Sequence, residues 1–309
     1  MNSLSPPVFS IVIPAFNEEK FIGKTLTRLF HLLSDIPQFE VIVVDNASTD
    51  TTAEIATKAG DIELIRLPDK VTVARARNIG WASAKTDVVV FLDADVLLTE
   101  QWRDKFADTL PQLSQAKMVT GATVSISENP GLIEKNWFLY MDTSTRTYIN
   151  SANLITNKDV LHSIDGFNDE LVTGEDVDFS NRAKKAQCEV ILDPAFKVHH
   201  EGYPKSLLQF AKREMWHGIG DIQSFKSFLS SNVAKIACLQ GLLLISGVIG
   251  TAIKMSVTPL LVSCSLLFIG NFLIANKKFP KAPITVRLTN TFLYFVYFMS
   301  RFLSPLKKR

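Results

Sequence analysis

The sequence predicts an α/β protein in which a mostly parallel sheet is flanked by helices and followed by a membrane anchor. Short apolar runs alternate with helical apolar spacing over the first 95 residues, as in repeated βαβ units. The run Val88–Leu92 is apolar throughout, which suits a strand covered on both faces, and Asp93 and Asp95 come directly after it. Two long uncharged stretches, Ile236–Ile253 and Val257–Ala275, follow near the end of the chain.

The individual elements follow from periodicity and from turn residues. We expect strands at Val8–Ile13, Glu40–Val44, Ile62–Arg66 and Val88–Leu92, alternating with helices at Glu18–Leu33, Thr51–Lys58 and Val71–Ser83. Pro14 is expected to end the first strand. Beyond Asp95 the pattern loosens, and an irregular stretch is expected before about Phe167. The remaining elements are a strand at Lys117–Val124, a helix beginning near Glu175 and a strand at Cys188–Leu192.

The tail has the length and composition of a membrane anchor. Each uncharged stretch approaches the roughly 20 residues that a helix needs to cross a bilayer. A buried hairpin of core helices is the alternative, although core helices are usually shorter and amphipathic. Leu288–Ser300 is shorter and carries polar residues, which suits an interfacial helix or a weak third span. We therefore expect an α/β domain over residues 1–205, an amphipathic juxtamembrane segment over 206–234 and the anchor over 235–309.

Charge is distributed unevenly along the chain. The net charge is +2, but from Lys235 onward there are ten basic residues and no acidic one, which leaves 23 basic against 31 acidic residues before that point. The excess of acidic residues before Lys235 argues against nucleic acid as a partner. The positive flanks of the apolar stretches favour an integral protein of the inner membrane whose α/β domain faces the cytoplasm. The N-terminus lacks the pattern of a signal peptide, and the cysteines lack metal-ligand or disulfide spacing.

Acidic residues gather where strands and a helix are expected to end or begin. Asp45 follows the second strand, Asp93 and Asp95 follow the fourth, and Glu175-Asp176 open a late helix. The carboxyl ends of parallel strands share one edge of a sheet, where ligands of open α/β sheets bind. Oxygen ligands of this kind suit Mg²⁺ or Mn²⁺ bridged to a diphosphate. Each motif alone also fits a simpler explanation, a solvated turn for the first pair and a dipole-favoured helix start for the second.

Together, five motifs resemble those of the inverting family 2 glycosyltransferases, which have the GT-A fold. The resemblance spans about Val8 to His200, and the motifs occur in the family's order and spacing. The motifs are Ile13-Pro14-Ala15-Phe16-Asn17-Glu18, Val43-Val44-Asp45-Asn46-Ala47-Ser48-Thr49-Asp50, Ala76-Arg77-Asn78-Ile79-Gly80, Phe91-Leu92-Asp93-Ala94-Asp95 and Gly174-Glu175-Asp176-Val177-Asp178.

The resemblance implies a role for each matched position. Asp45 would accept a hydrogen bond from the nucleotide base, Arg77 would approach the nucleotide or its diphosphate, and Asn78 would support the loop. Asp176 would be the catalytic base, with Glu175 raising its proton affinity. The nucleotide-sugar site would comprise Pro14, Ala15, Asn17, Glu18, Asp45, Arg77, Asn78, Asp93 and Ala94. The divalent cation would be held by Asp95, with Asp93 and His200 as further candidate ligands.

The implied activity is the metal-dependent, inverting and non-processive transfer of a sugar from a nucleoside diphosphate sugar to a hydroxyl of a membrane-associated acceptor. Products of this kind belong to cell-envelope polysaccharides or glycolipids. The chain departs from processive synthases because Trp216 stands three residues after Arg213, so their Gln-X-X-Arg-Trp motif is not met. Two alternatives stay open: a polyprenyl-phosphate glycosyltransferase, which needs no strong base, and a non-catalytic membrane subunit that binds sugar nucleotides.

Overall fold

The chain divides into two compact units. The computed structural model describes residues 8–36, 38–122, 124–140 and 147–306. The first unit comprises the described residues up to Glu128 and those from 147 to Gly202, and the second those from Asn129 to 140 and from Tyr203 onward. The division near residue 202 lies close to the predicted boundary at 205. The segment that begins at Asn129 belongs to the second unit, whereas the sequence pattern had placed it in the α/β domain.

The first unit is built on a mixed seven-stranded sheet with the order β3-β2-β1-β4-β7-β6-β8. β7 runs antiparallel to both of its neighbours, and the other pairings in this sheet are parallel. A separate antiparallel pair is formed by β5 and β9. The strands are β1 Phe9–Ala15, β2 Phe39–Asp45, β3 Glu63–Arg66, β4 Val88–Leu92, β5 Val96–Leu98, β6 Met118–Gly121, β7 Asn153–Asn157, β8 Glu189–Leu192 and β9 Val198–His200.

Helices cover both faces of this sheet because alternate strand residues point to opposite sides. Along β1, Ile11 and Ile13 join one buried apolar cluster, while Val12 joins the other. Short polar residues begin several of the helices by accepting backbone hydrogen bonds, as the Thr99 hydroxyl does from the N–H of Trp102. The helices of this unit are α1 Ile22–Leu32, α2 Thr52–Ala59, α3 Val73–Ser83, α4 Glu100–Leu113, α5 Lys158–Ile164 and α6 Glu175–Lys185.

Three features differ from the sequence-based prediction. Pro14 does not end β1, which continues to Ala15. Because β4 pairs with β1 only as far as Val12, Pro14 lies beside β2 alone, and its missing N–H breaks no pairing with β4. The stretch expected to be irregular contains β7 and α5, and α4 follows the acidic turn where no helix was predicted.

The second unit is helical. Its long helices are α9 Asn232–Lys254 and α10 Thr258–Lys278, which match the two predicted spans and are long and apolar enough to cross a membrane. A single polar contact joins them where both side chains are buried, since the Gln240 amide donates to Oδ1 of Asn271 at 2.8 Å. The remaining helices are α7 Leu207–Asp221, α8 Phe225–Ser230 and α11 Ile284–Phe302, with a π-helical turn at Glu134–Phe138.

An ion-pair network fixes α7 against α11. The buried carboxylate of Glu214 accepts from Arg301 at 2.9 Å, and Arg301 also donates to Asp221 at 2.6 Å. α11 packs against α9 and α10 as well, and so it ties the helical unit together. Its span, Ile284–Phe302, includes the whole of the short apolar segment predicted from the sequence.

Candidate functional site

The loops after β1 and β2 are joined by hydrogen bonds at the carboxyl edge of the sheet. The backbone N–H of Asn17 donates to the Ser48 hydroxyl at 2.9 Å, and Oδ1 of Asn17 accepts from the N–H of Thr49 at 2.8 Å. Asn17 and Ala47 both have positive φ, at 56° and 59°, so each loop turns sharply. The Glu18 N–H donates to the Thr52 hydroxyl at 2.7 Å, which joins the first loop to α2.

Asp45 lies at the end of β2 and is only 1% exposed. Its Oδ1 accepts from the N–H of Ser48 at 3.1 Å, and its Oδ2 lies 3.5 Å from Nε of Arg66 at the end of β3. The next residue, Asn46, forms two hydrogen bonds with the backbone of Val71, which fixes the segment before α3. Asp45 is therefore a hydrogen-bond acceptor held in a fixed position at the carboxyl edge of the sheet.

The turn after β4 brings two carboxylates and an imidazole together. β5 begins directly after Asp95 and pairs with β9 in a register that sets Val96 opposite His200. As a result, Nε2 of His200 lies 3.6 Å from Oδ2 of Asp95. One potential ligand atom from each of Asp93, Asp95 and His200 lies within 4.8 Å of the others. α1 supports the turn, since the buried Thr25 hydroxyl donates to the carbonyl of Ala94 at 2.7 Å.

The electrostatics of this cluster favour the binding of a cation. Burial raises the pKa of Asp95, and the Asp93 charge adds to this while His200 opposes it. Burial also raises the pKa of Glu18 to about 8, and the charges of Asp95, Asp93 and Asp50 contribute. Carboxylates crowded in this way bind a divalent cation readily, because its charge removes their mutual repulsion. Two acidic oxygens with an imidazole nitrogen are a donor set suited to Mn²⁺ or Mg²⁺.

Arg77 connects this cluster to α6. Its side chain is 2% exposed, although the sequence pattern had predicted an approach to the nucleotide or diphosphate. One guanidinium nitrogen donates to Oδ1 of Asp93 at 2.6 Å, and the other donates to Oε1 of Glu175 at 3.0 Å. Burial alone would lower the pKa of Arg77, but the charges of Asp93 and Glu175 raise it. Arg77 is therefore a fixed cation between two carboxylates.

Glu175 and Asp176, two of the three acidic residues in the first turn of α6, lie in different environments. Gly174 precedes the helix at φ 81°, a left-handed conformation that favours glycine and turns the chain into α6. Glu175 is buried, and its Oε1 also accepts from the Ser151 hydroxyl at 3.0 Å. Asp176 is half-buried, and its Oδ1 accepts from the N–H of Val177 at 2.8 Å. Burial and the neighbouring Glu175 charge raise the pKa of Asp176 to about 6.

Asn78 holds the loop that leads to α6. Its Oδ1 accepts from the N–H of Phe167 at 2.9 Å and from Nε1 of Trp81 at 3.0 Å, and its amide nitrogen donates to the Phe167 carbonyl at 2.7 Å. Asp178 pairs with Arg182 one turn further along α6 at 2.7 Å.

The structure thus brings most of the predicted residues to one edge of the sheet, on the loops after β1, β2 and β4 and at the start of α6. Pro14 and Ala15 lie within β1, where they contribute backbone. Sequence reasoning missed Ser151 and Gly202. Ser151 lies in a stretch without recognisable periodicity, and Gly202 packs so closely on Asp95 that a Cβ there would overlap the carboxylate.

Comparisons with known proteins agree with this geometry. Residues 10–168, about half of the chain, match the family described as glycosyl transferase family 2. The glycosyltransferase AglE of Haloferax volcanii is 27% identical over 190 residues, 58% of this chain and 62% of AglE. The pre-mycofactocin glycosyltransferase of Mycobacterium tuberculosis is 26% identical over 223 residues, 68% of this chain and 46% of that protein. The chain therefore spans about half to three fifths of the length of these relatives.

A solved structure shares the fold. The mannosyltransferase PcManGT of Pyrobaculum calidifontis, determined in complex with GDP-Man and Mn²⁺, superposes with a TM-score of 0.58 at 18% sequence identity. The superposition covers 97% of this chain and 87% of the mannosyltransferase. The mixed seven-stranded sheet is thus that of a GT-A fold.

Proposed function

Because the chain belongs to glycosyl transferase family 2, we propose that it transfers a sugar from a nucleoside diphosphate sugar to a hydroxyl of a membrane-associated acceptor. The transfer is metal-dependent, non-processive and inverting. The observation that carries this proposal is the placement of Asp93, Asp95 and His200 beside a buried arginine that reaches the first turn of α6. A donor site and a candidate base are thereby held at one edge of the sheet.

The donor is held by groups whose positions are already fixed. Asp45 accepts a hydrogen bond from the nucleotide base, and the loop with Asn17 and Glu18 surrounds the nucleotide. Asp95, Asp93 and His200 hold the divalent cation, with Asp95 as the principal ligand. When bound, this cation neutralises the charge of the departing diphosphate as a Lewis acid.

Asp176 removes the proton from the acceptor hydroxyl as the hydroxyl attacks the anomeric carbon. Attack opposite the leaving group, with one base and no covalent intermediate, inverts the anomeric configuration. A pKa of about 6 keeps Asp176 ionised near neutral pH and makes it a better proton acceptor than an ordinary aspartate. This favours a hydroxyl acceptor over a polyprenyl phosphate, because a phosphate oxygen is already deprotonated and needs no base.

The acceptor is proposed to reside in or on a membrane, because α9 and α10 provide two helices able to cross it. The ten basic and no acidic residues from Lys235 onward support a cytoplasmic position for the flanks of these helices, in line with the positive-inside rule. An acceptor confined to the same membrane would reach the enzyme by diffusion in two dimensions.

The experiment is a screen of nucleotide sugars with the purified full-length protein in detergent. Thermal unfolding and release of nucleoside diphosphate are measured with UDP- and GDP-sugars, each with and without Mn²⁺. One class of donor is expected to raise the unfolding temperature in the presence of Mn²⁺ only, and to be hydrolysed slowly or transferred to extracted lipids. Stabilisation by no sugar nucleotide, or equal stabilisation with excess chelator, would contradict the proposal.

A further inference from the structure

The buried guanidinium of Arg77 contacts both Asp93, in the cation cluster, and Glu175, in the first turn of α6. The two partners lie 16 and 98 residues away in the chain, so the contact joins segments that are distant in the sequence. The side chain is 2% exposed, and water therefore screens these charges weakly.

Glu175 is poorly placed to accept a proton from an acceptor. Its side chain is 10% exposed, and its Oε1 is occupied by hydrogen bonds from both Arg77 and the Ser151 hydroxyl. Asp176, the next residue, is more exposed, and its Oδ1 accepts from the backbone N–H of Val177 rather than from a cationic side chain. The two acidic residues of the motif therefore have different tasks.

We propose that Glu175 is a positioning residue that acts through Arg77 to set the charge which Asp93 presents to the cation. This rests on the function proposed above. In the native arrangement the positive charge of Arg77 is shared by two carboxylates. Without the Glu175 charge, only Asp93 and the nearby Asp176 offset the charge of Arg77. The larger residual positive field of the guanidinium then opposes the cation held beside Asp93.

The test is direct binding of Mn²⁺ alone to the full-length protein, followed by electron paramagnetic resonance, with titrations repeated in the presence of UDP and of GDP. Glu175→Gln keeps the side-chain size and can still accept from Arg77 and Ser151, so the fold is expected to survive, which a melting curve checks. At an effective dielectric of about 20, the loss of a unit charge about 10 Å from a divalent cation is expected to weaken Mn²⁺ binding by roughly 10²-fold.

The matched control is Asp178→Asn. It removes one negative charge from the same turn of α6, but this carboxylate pairs with Arg182 rather than with Arg77. Its Mn²⁺ affinity is expected to stay within about twofold of wild type. Glu175→Asp, which restores the charge, is expected to recover most of the affinity that Glu175→Gln loses.

The outcomes separate the two proposals. If wild type binds Mn²⁺ and Glu175→Gln binds it equally well, the positioning role of Glu175 is overturned while the proposed function stands. If Glu175→Gln loses turnover with unchanged Mn²⁺ affinity and unchanged donor KM, Glu175 acts directly on the acceptor, and its positioning role is again overturned. If wild type binds no Mn²⁺ even with a nucleoside diphosphate, the metal-dependent function itself is wrong.

Discussion

Replacing Asp176 by asparagine tests whether the first turn of α6 supplies the base. The asparagine has the same size, and its Oδ1 can still accept the hydrogen bond from the N–H of Val177. Its amide cannot take up a proton. Asp176 lies in the first turn of α6, whereas Asp45 ends β2 and Asp93 and Asp95 follow β4, so donor binding is expected to survive the change.

The size of the effect follows from the environment of this carboxyl. With a pKa of about 6, Asp176 is almost fully ionised at pH 8 and is a stronger base than an aspartate at its usual 3.8. General base catalysis contributes about 10²- to 10⁴-fold, so kcat is expected to fall at least 10²-fold while donor affinity changes less than about threefold. Donor affinity is measured by calorimetry, and kcat by release of nucleoside diphosphate under acceptor saturation.

The control is again Asp178→Asn, which is expected to retain kcat because its carboxylate is paired with Arg182. An equal loss in both variants would show that the helix start needs acidic charge in general rather than one base. A loss of donor affinity that matches the loss of kcat would show that Asp176 shapes the donor site, and the assignment would then be wrong.

The raised pKa of Asp176 also predicts the pH dependence. The protonated carboxyl cannot accept a proton, so kcat/KM for the acceptor is expected to fall about tenfold per pH unit as the pH drops below about 6. Burial is the largest cause of the shift and Glu175 the next. Glu175→Gln at saturating Mn²⁺ should therefore move this acid limb to lower pH, but not as far as 3.8. A limb that stays near pH 6 in Asp176→Asn would assign it to another group.

Three further predictions concern the cation site and the anchor. Asp95→Ala removes the principal ligand and is expected to abolish turnover and Mn²⁺-dependent nucleotide binding, whereas full activity with excess chelator would contradict this. Gly202→Ala is expected to weaken Mn²⁺ binding more than Gly131→Ala does. A Cβ at Gly202 overlaps the Asp95 carboxylate, while one at Gly131 meets its nearest atom at 3.5 Å. Equal Mn²⁺ affinities of the two variants would show that the turn shifts to accommodate the added methyl group. The full-length protein is expected to remain in the membrane fraction after a carbonate wash, and its release would show that α9 and α10 are not integral spans.

The strands that carry the site were readable from the sequence because their burial leaves a simple pattern. β1, β2 and β4 are continuous apolar runs, and the acidic residues follow them directly. β7 does not show this continuous apolar pattern. It is fully buried, yet it begins and ends with asparagine, and Asn153 satisfies its amide through Trp102 and the Phe196 carbonyl. Polar residues that find buried partners remove the apolar signal on which strand prediction relies.

The relation between Arg77 and Glu175 was beyond the reach of the sequence for a similar reason. Both residues stand in motifs that the sequence singles out, but their pairing depends on how α3 and α6 approach one another. A basic residue in a family motif suggests a contact with a phosphate, whereas burial against two carboxylates becomes evident only in three dimensions. The helix α4 was not predicted although its buried residues Trp102, Phe106 and Leu113 recur at helical spacing. It also contains Pro111, a residue that ordinarily argues against a helix interior.

The pairing of β5 with β9 has a consequence for how the protein is made. Asp95 and His200 are more than one hundred residues apart, and β9 is the last strand of the first unit. During synthesis the early strands can pair as they emerge, but the imidazole reaches Asp95 only after the whole α/β region has left the ribosome. A nascent chain that ends before β9 would have both aspartates and lack the third ligand. The cation binding proposed above would therefore mark the completion of the first unit, and it would stabilise that unit only once its last strand has docked.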